Sequence, residues 1–385
     1  MKITRLDVIR LALPFQAERE SNQDSPSMSA YNAASPQLKR METLLVRLTT
    51  DEGLQGWGEA FGHLVNPASQ AALGGLVGQL FLGARVGADP ASFAASRLAA
   101  EQALHAFGRT GPVVYALSAI DTALWDLSAQ IAGQPLYRHL GGRRDRIEAY
   151  ASLVSYGNRP AEVARQVQRA QAAGYRRIKL HETEYPAISA ARQALPADIG
   201  LMVDVNCPWN LAEAETRIRG CRDLQLGWIE EPLWPPDDID GLASLRRRGT
   251  PIAAGENVSG VEAFRQHFQQ GAIDVAQPSV AKIGGISAMR EVFAMAARHG
   301  VQVMPHCFYY GAGMLATAHL AASLPAPAAL EVPFLQWPRP LYPDFPREAE
   351  IRLPDQPGLG WVPDPGVLND YRIDGCSLRL DGENA

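Results

Sequence analysis

Short apolar runs, each closing on a polar residue and each followed by a helix-like stretch, recur along this chain at a nearly constant step, and that step leaves few folds open. The closing residues are Ser155, His181, Asp204, Glu230, Glu256, Ser279, His306 and Glu331, spaced 23 to 27 residues apart. A gap of that size holds a strand, a helix and two short loops, whereas a hairpin repeat would need only about half of it. The intervening segments agree. Residues 160–173 open with a Pro at an early helical position, repeat apolar residues at helical spacing and stop at Gly174. Residues 211–224, 261–270 and 286–299 follow the same grammar, the last two stopping at Gly271 and Gly300. Alternating strand and helix is the signature of an α/β fold, and the even step predicts a (β/α)8 TIM-type barrel. The rival, a doubly wound open sheet, lacks its G-x-G-x-x-G phosphate fingerprint here.

A barrel takes roughly 250 residues, so a chain of 385 carries more than a barrel. Residues 1–140 read as an N-terminal α+β domain: strand-like runs at either side of a turn at Asp51-Glu52-Gly53, then Ala- and Leu-rich helices to about Gly133. Within it, residues 15–40 are polar and without a periodic apolar face, which predicts a lid or a loose loop. Residues 141–335 then form the barrel. Residues 336–385, rich in Pro and Gly, are expected to pack back on the first domain.

A formal charge of −5 and a pI near 5.9 argue against a nucleic-acid surface, which needs clustered Lys and Arg. Cys207, Cys221, Cys307 and Cys376 form no CxxC pair, as expected of free thiols in a reducing cytoplasm. No run approaches the ~20 apolar residues of a membrane span, and the chain starts directly on a strand pattern with no signal-peptide core. A cytoplasmic protein without nucleic-acid or membrane partners is expected.

Strands of a parallel barrel all point one way, so Asp204, Glu230 and Glu256, on three consecutive strands 26 residues apart, should converge at one mouth. Three hard oxygen ligands with no Cys or His among them suit Mg²⁺ better than Zn²⁺. Lys179 and His181 stand two residues apart and point to the same side of strand two. His306 comes from strand seven, so these groups should flank the acids from both sides. A small-molecule carboxylate substrate held there would present its α-carbon to proton carriers, with its anion stabilised electrostatically.

The pieces TTDEGLQGWGEA, SAIDTALWDLSAQIAGQPLYRHLGG, K-x-H, D-x-N, W-I-E-E-P, A-G-E-N, K-I-G-G, P-H and P-G-L-G run nearly end to end. Together they resemble the enolase superfamily, in its mandelate racemase and muconate-lactonizing branch. Sites of that superfamily are known to use Mg²⁺ with a Lys or His base. The resemblance implies an N-terminal capping domain whose loops, here around residues 15–40 and 56–63, close over the barrel. It implies one Mg²⁺ per subunit on Asp204, Glu230 and Glu256, with Glu231 as a supporting neighbour. Asn206 would contact substrate or a metal-bound water. Lys179 would face the substrate carboxylate, and Glu331 would hydrogen-bond it when protonated. A homo-oligomer is implied as well, although no sequence feature signals one.

Two departures bear on the reaction. His181 stands where relatives carry a lysine base, and an imidazole can be a free base at neutral pH without the depression a lysine would need. Ser279 stands where the branch has an Asp paired with the strand-seven His. A hydroxyl could orient His306 but not hold its charged form. Lys282, three residues on, would place a positive charge nearby or support the loop, and Tyr309 either lines the pocket or packs behind it. With His306 lacking its Asp, symmetric two-base racemisation is less suited than dehydration of an acid sugar (aldonate or aldarate) to a 2-keto-3-deoxy acid. Racemisation or epimerisation stays open, and cycloisomerisation is disfavoured because that reaction's enzymes resemble one another in a lysine at the Ser279 position. From a different class, a non-catalytic, metal-dependent acid-sugar binding protein also fits the altered motifs.

Overall fold

Long runs of β-branched and aliphatic residues near the N-terminus pair into an antiparallel sheet. In the computed structural model, which describes residues 1–19 and 38–380, β1 (Ile3–Pro14) pairs with β2 (Arg40–Thr50), placing Leu6 opposite Leu48 and Val8 opposite Val46. β3 (Gln55–Ala60) follows β2 across the turn at Asp51-Glu52-Gly53. Of the loop expected at 15–40, residues 20–37, Asn22 among them, lie outside the described residues.

The 20-residue helix Pro112–Ile131 packs on this sheet so closely that side chains are excluded from the contact. A Cβ on Gly58 would stand 1.9 Å from the carbonyl oxygen of Ala119, and one on Gly56 2.4 Å from that of Ala123. The contact is fixed in register by Asp126, whose Oδ2 accepts the Trp57 N–H at 2.8 Å.

Eight parallel strands then follow in chain order: β4 (Arg146–Ser152), β5 (Arg177–Leu180), β6 (Gly200–Asp204), β7 (Ile229–Glu230), β8 (Ile252–Ala254), β9 (Val275–Ala276), β10 (Gln302–Val303) and β11 (Leu330–Pro333). Each pairs with the next from β4 to β10, and β11 pairs back onto β4, with Leu330 opposite Ala149, so the sheet curls into the expected barrel. At the seam between β10 and β11 the Ala329 N–H points to the Met304 sulfur at 3.4 Å in place of a ladder bond.

Helices Pro160–Ala172, Leu211–Gly220, Val261–Gln269 and Gly285–His299 lie where the periodicity predicts them. Three more, Tyr185–Ala194, Ile239–Arg246 and Ala312–Ser323, fill the remaining gaps. Ser155, Glu256, Ser279 and His306 fall just past the ends of their strands, in the loops of the mouth.

The C-terminal segment divides between the two sheets. β12 (Glu350–Arg352) pairs antiparallel with β4 of the barrel, and β13 (Arg372–Arg379) joins the N-terminal sheet beside β1. Thus part of 336–385 pads the barrel, not only the first domain. Among the described residues, no helix is long and apolar enough to cross a membrane.

The backbone contact at Gly58 gives a direct test. Gly58→Ala should lower stability by about 1–3 kcal/mol, the usual cost of forcing extra atoms into a packed interface. Urea unfolding measures this, and a loss below about 0.5 kcal/mol would contradict the close approach of β3 to its helix.

Candidate active site

Asp204 and Glu230 close neighbouring strands and stand directly opposite each other in the parallel ladder. Glu256 follows Gly255, whose φ of 146° and whose missing Cβ, which would meet the Gln277 backbone at 2.8 Å, let the chain turn inward. As a result one oxygen from each of the three acids lies within 4.8 Å of the others. The turns that make this possible are strained. Asn206, Cys207 and Glu231 all have positive φ, each costing about 1–3 kcal/mol unless the surroundings enforce it. Enforcement comes from the Cys207 N–H bonded to the Glu231 carbonyl at 2.7 Å and the Glu231 N–H bonded to that of Ala253 at 3.0 Å.

Lys179, wholly buried, sits beneath the acids. Its Nζ lies 2.8 Å from Glu230, 2.8 Å from Glu331 and 3.4 Å from Asp204, so all three ammonium protons point at carboxylates. Burial opposes its charge, but Glu230, Glu331 and Asp204 outweigh burial and hold it above the ordinary lysine range. Burial and the Asp204 charge push Glu230 up despite Lys179. Burial likewise raises Asp204 and Glu331, yet Lys179 brings both below the usual carboxylate range.

Two imidazoles bracket this cluster. His181 Nδ1 meets the Leu153 carbonyl oxygen, so Nδ1 carries the proton and Nε2 faces the site, 3.3 Å from Asp204 Oδ2. On the far side His306 Nε2 lies 2.7 Å from Glu256 Oε2. Phe308 packs edge-on against the His181 ring at 5.4 Å.

Several expectations need correction. Ser279 does not orient the His306 ring: its hydroxyl lies 3.3 Å from the Tyr309 hydroxyl, and His306 Nδ1 has no hydrogen-bond partner among the described residues. A serine hydroxyl sits one bond closer to the backbone than an Asp oxygen, and the turn bonding the Lys282 N–H to the Ser279 carbonyl keeps it near Tyr309. Tyr309 in turn donates to the His306 carbonyl at 3.3 Å, so it packs behind the histidine. Glu331 is surrounded by donors, and against the effect of burial Lys179 holds it below the usual carboxylate range. It only accepts, from Ser152 Oγ at 2.7 Å, Lys179 and the Cys307 N–H at 2.8 Å.

Lys282 lies 3.9 Å from Glu256, reaches Asn257 Oδ1 at 3.4 Å and stacks 4.0 Å over the Phe61 ring of the N-terminal domain. Glu231 accepts from Asn257 and Cys207 and is not one of the three converging acids. The Asn206 N–H donates to Asp204 Oδ1 at 2.9 Å.

Sequence reasoning missed the groups that hold Glu230. Trp228 Nε1 donates to its Oε2 at 3.0 Å and Gln277 Nε2 at 2.7 Å. Both were readable: each stands two residues before a closing polar residue and so faces the same side of its strand. His63 was legible only as part of a loop. Its Nε2 is buried without a partner among the described residues, and burial together with the Lys282 and His306 charges pulls its imidazole down to about 4.

Comparison with known proteins agrees with this geometry. The family described as "Enolase C-terminal domain-like" matches residues 162–367, and "Mandelate racemase / muconate lactonizing enzyme, N-terminal domain" matches residues 21–141. D-galactarolactone cycloisomerase of Agrobacterium fabrum is 30% identical over 367 residues, covering 89% of this chain and 94% of its own. D-gluconate dehydratase of Thermoproteus tenax is 30% identical over 369 residues, covering 89% of this chain and 72% of its own. The crystal structure of L-talarate dehydratase from Polaromonas sp. JS666, complexed with Mg and L-glucarate, superposes with a TM-score of 0.81 at 25% identity, covering 98% of this chain and 99% of that one. Barrel, capping sheet and acid cluster therefore have one origin: the chain belongs to the enolase superfamily, in its mandelate racemase and muconate lactonizing enzyme branch.

Proposed function

We propose that this protein is a Mg²⁺-dependent acid-sugar dehydratase, which removes the proton α to a substrate carboxylate and expels the β-hydroxyl to give a 2-keto-3-deoxy acid. The observation that carries this reading is a trio of converging carboxylates bracketed by two imidazoles. Relatives named as acid-sugar dehydratases support it.

Asp204, Glu230 and Glu256 fit a single Mg²⁺: they offer oxygen only and converge within 4.8 Å, with Glu230 oriented by Trp228 and Gln277 and Asp204 by the Asn206 N–H. Bound there, the ion would supply the positive charge that favours the anion left when the proton departs. Lys179 adds a fixed positive charge beneath the same point and, with every proton engaged, is not the base. His181, anchored through Nδ1 to the Leu153 carbonyl, turns Nε2 to the site and is suited to take the α-proton. His306, on the opposite flank, is placed to hand a proton to the departing hydroxyl. Asn206 and Lys282 stand at the mouth, where they would meet the substrate's oxygens. The buried Ser279, Tyr309 and Glu331 shape the floor and backing of that site.

Cycloisomerisation of an acid-sugar lactone is the second reading. Ser279 alone spoke against it, and the cycloisomerase relative spans 89% of this chain.

Mg²⁺ should raise the thermal midpoint saturably, by the linkage between binding and folding. Asp204→Asn should abolish that shift, and a midpoint unmoved by Mg²⁺ in the unaltered protein would defeat the reading.

Aldonates and aldarates incubated with protein and Mg²⁺ in D₂O should lose the β-hydroxyl, as followed by NMR. His306→Asn should stop elimination while leaving the Mg²⁺-induced shift in place. Turnover surviving that substitution would remove His306 from the reaction, and conversion of lactones alone would favour the second reading.

Lys179→Met should destabilise the metal-free protein by about 3–5 kcal/mol at neutral pH, because buried carboxylates lose their counter-charge. Asp204 and Glu331 are depressed in the folded state, so the stability they share with Lys179 is present above the ordinary carboxylate range and lost as pH falls through their folded values. The variant's acid unfolding limb should therefore be shallower. Equal slopes in denaturant titrations at pH 3 to 7 would refute the assignment.

A further inference from the structure

Among the described acidic groups that the capping domain buries and the reaction above does not use, Glu59 alone reaches the stretch behind His306. Glu59 lies on β3, is 3% exposed, and its Oε2 accepts the Gly313 N–H at 2.9 Å. Gly313 stands in the first turn of the barrel helix Ala312–Ser323, directly behind the stretch that carries His306 and Tyr309. Side chains are excluded around this contact. A Cβ at position 311 would come within 2.4 Å of Glu59 Oε2, and one at 313 would come within 3.0 Å of it and 2.7 Å of the Tyr309 ring.

The same stretch is held on its other side by Glu331, which accepts the Cys307 N–H at 2.8 Å. The loop is thus suspended between a barrel carboxylate and a capping-domain carboxyl. A parallel tie lies beside it: the Phe61 N–H, just past the end of β3, donates to the Ala281 carbonyl at 3.2 Å in the turn that bears Ser279 and Lys282.

We propose that Glu59 is a positioning residue, by which the capping domain holds the loop of His306 and Tyr309 in its working geometry. The catalytic part of this inference rests on the role given to His306 above. Burial pushes the Glu59 carboxyl up to about 8, while the Gly313 and Gly311 N–H groups act against that rise. The groups facing it are Cys307, Tyr309 and Tyr342. At neutral pH the joint is therefore closed by a largely neutral carboxyl, and alkaline pH places a charge in it.

The test compares Glu59→Ala and Glu59→Gln in the full chain with Mg²⁺. Hydrogen exchange, corrected for intrinsic rates, should show protection in residues 307–313 lost by about tenfold or more in Glu59→Ala, with β6 and β8 unchanged. Glu59→Gln keeps a neutral acceptor, so it should retain protection at pH 7 and lack the decline expected of the unaltered protein as pH rises from the ordinary carboxylate range to about 8. On an acid sugar that is turned over, kcat of Glu59→Ala should fall about tenfold to a hundredfold with a smaller change in KM, as expected of a misplaced acid–base group, and Glu59→Gln should recover it. Unchanged protection in Glu59→Ala overturns the proposal, and so does a loosened loop with unchanged kcat. If Glu59→Ala does not fold, identical pH profiles for Glu59→Gln and the unaltered protein overturn it. Absence of turnover with every acid sugar defeats the dehydratase reading instead, and the exchange profiles then decide whether Glu59 holds the loop.

Discussion

Lys179 is the point on which the barrel mouth depends. One buried ammonium among Asp204, Glu230 and Glu331 allows several acids to share a small volume that excludes water. Without a counter-charge, carboxylates so close would repel one another and lose hydration without return. The cation comes from β5 and the acids from β6, β7 and β11, so only a sheet curled far enough to bring β11 back beside β4 can assemble them. The pairing of β11 with β4 thereby brings Glu331 to the cation.

The capping domain is bound to that barrel by polar contacts as well as by apolar area. Asp121, on the helix Pro112–Ile131, accepts the Ser287 N–H at 2.9 Å and its hydroxyl at 2.6 Å, and Ser118 accepts the Gly284 N–H at 2.8 Å. Trp125 donates to Ser287 Oγ at 2.8 Å. All of these reach the start of the helix Gly285–His299, immediately after the turn that carries Lys282. Phe61 meets Lys282 from above. The domain interface therefore lies against the loops of β9 and β10, which bear Lys282 and His306, while Asp204 and Glu230 close barrel strands and Glu256 follows two residues after β8. Such a division leaves the acid cluster to the barrel, while the loops of Lys282 and His306 are set by a second domain.

The fold was largely legible because a step of 23 to 27 residues admits little else, and because strand ends in a parallel barrel share one rim. Asp204, Glu230 and Glu256 could be grouped from spacing alone. Lys179 and His181 were placed on one side of a strand by period-two alternation, yet their tasks were not. The alternation states that both point inward, but not that Lys179 is fully engaged by three acids while His181 turns Nδ1 to the Leu153 carbonyl. Ser279 was misread for a related reason. Position in the repeat places its Cα, whereas the hydroxyl's partner depends on the stem length and on Tyr309, thirty residues away.

The amino-acid order by itself determined the repeating α/β architecture, the three acids of the rim and the residue types beside them, since these follow from local periodicity and from the common direction of parallel strands. Tertiary structure decided which nitrogen of each imidazole faces the cluster, the donors that surround Glu331, the split of the C-terminal segment between two sheets, and the reach of Glu59 and Phe61 across the domain boundary. Those outcomes depend on distances between groups far apart in the chain and on how much water is excluded around them. Neither quantity is written in any local stretch of sequence.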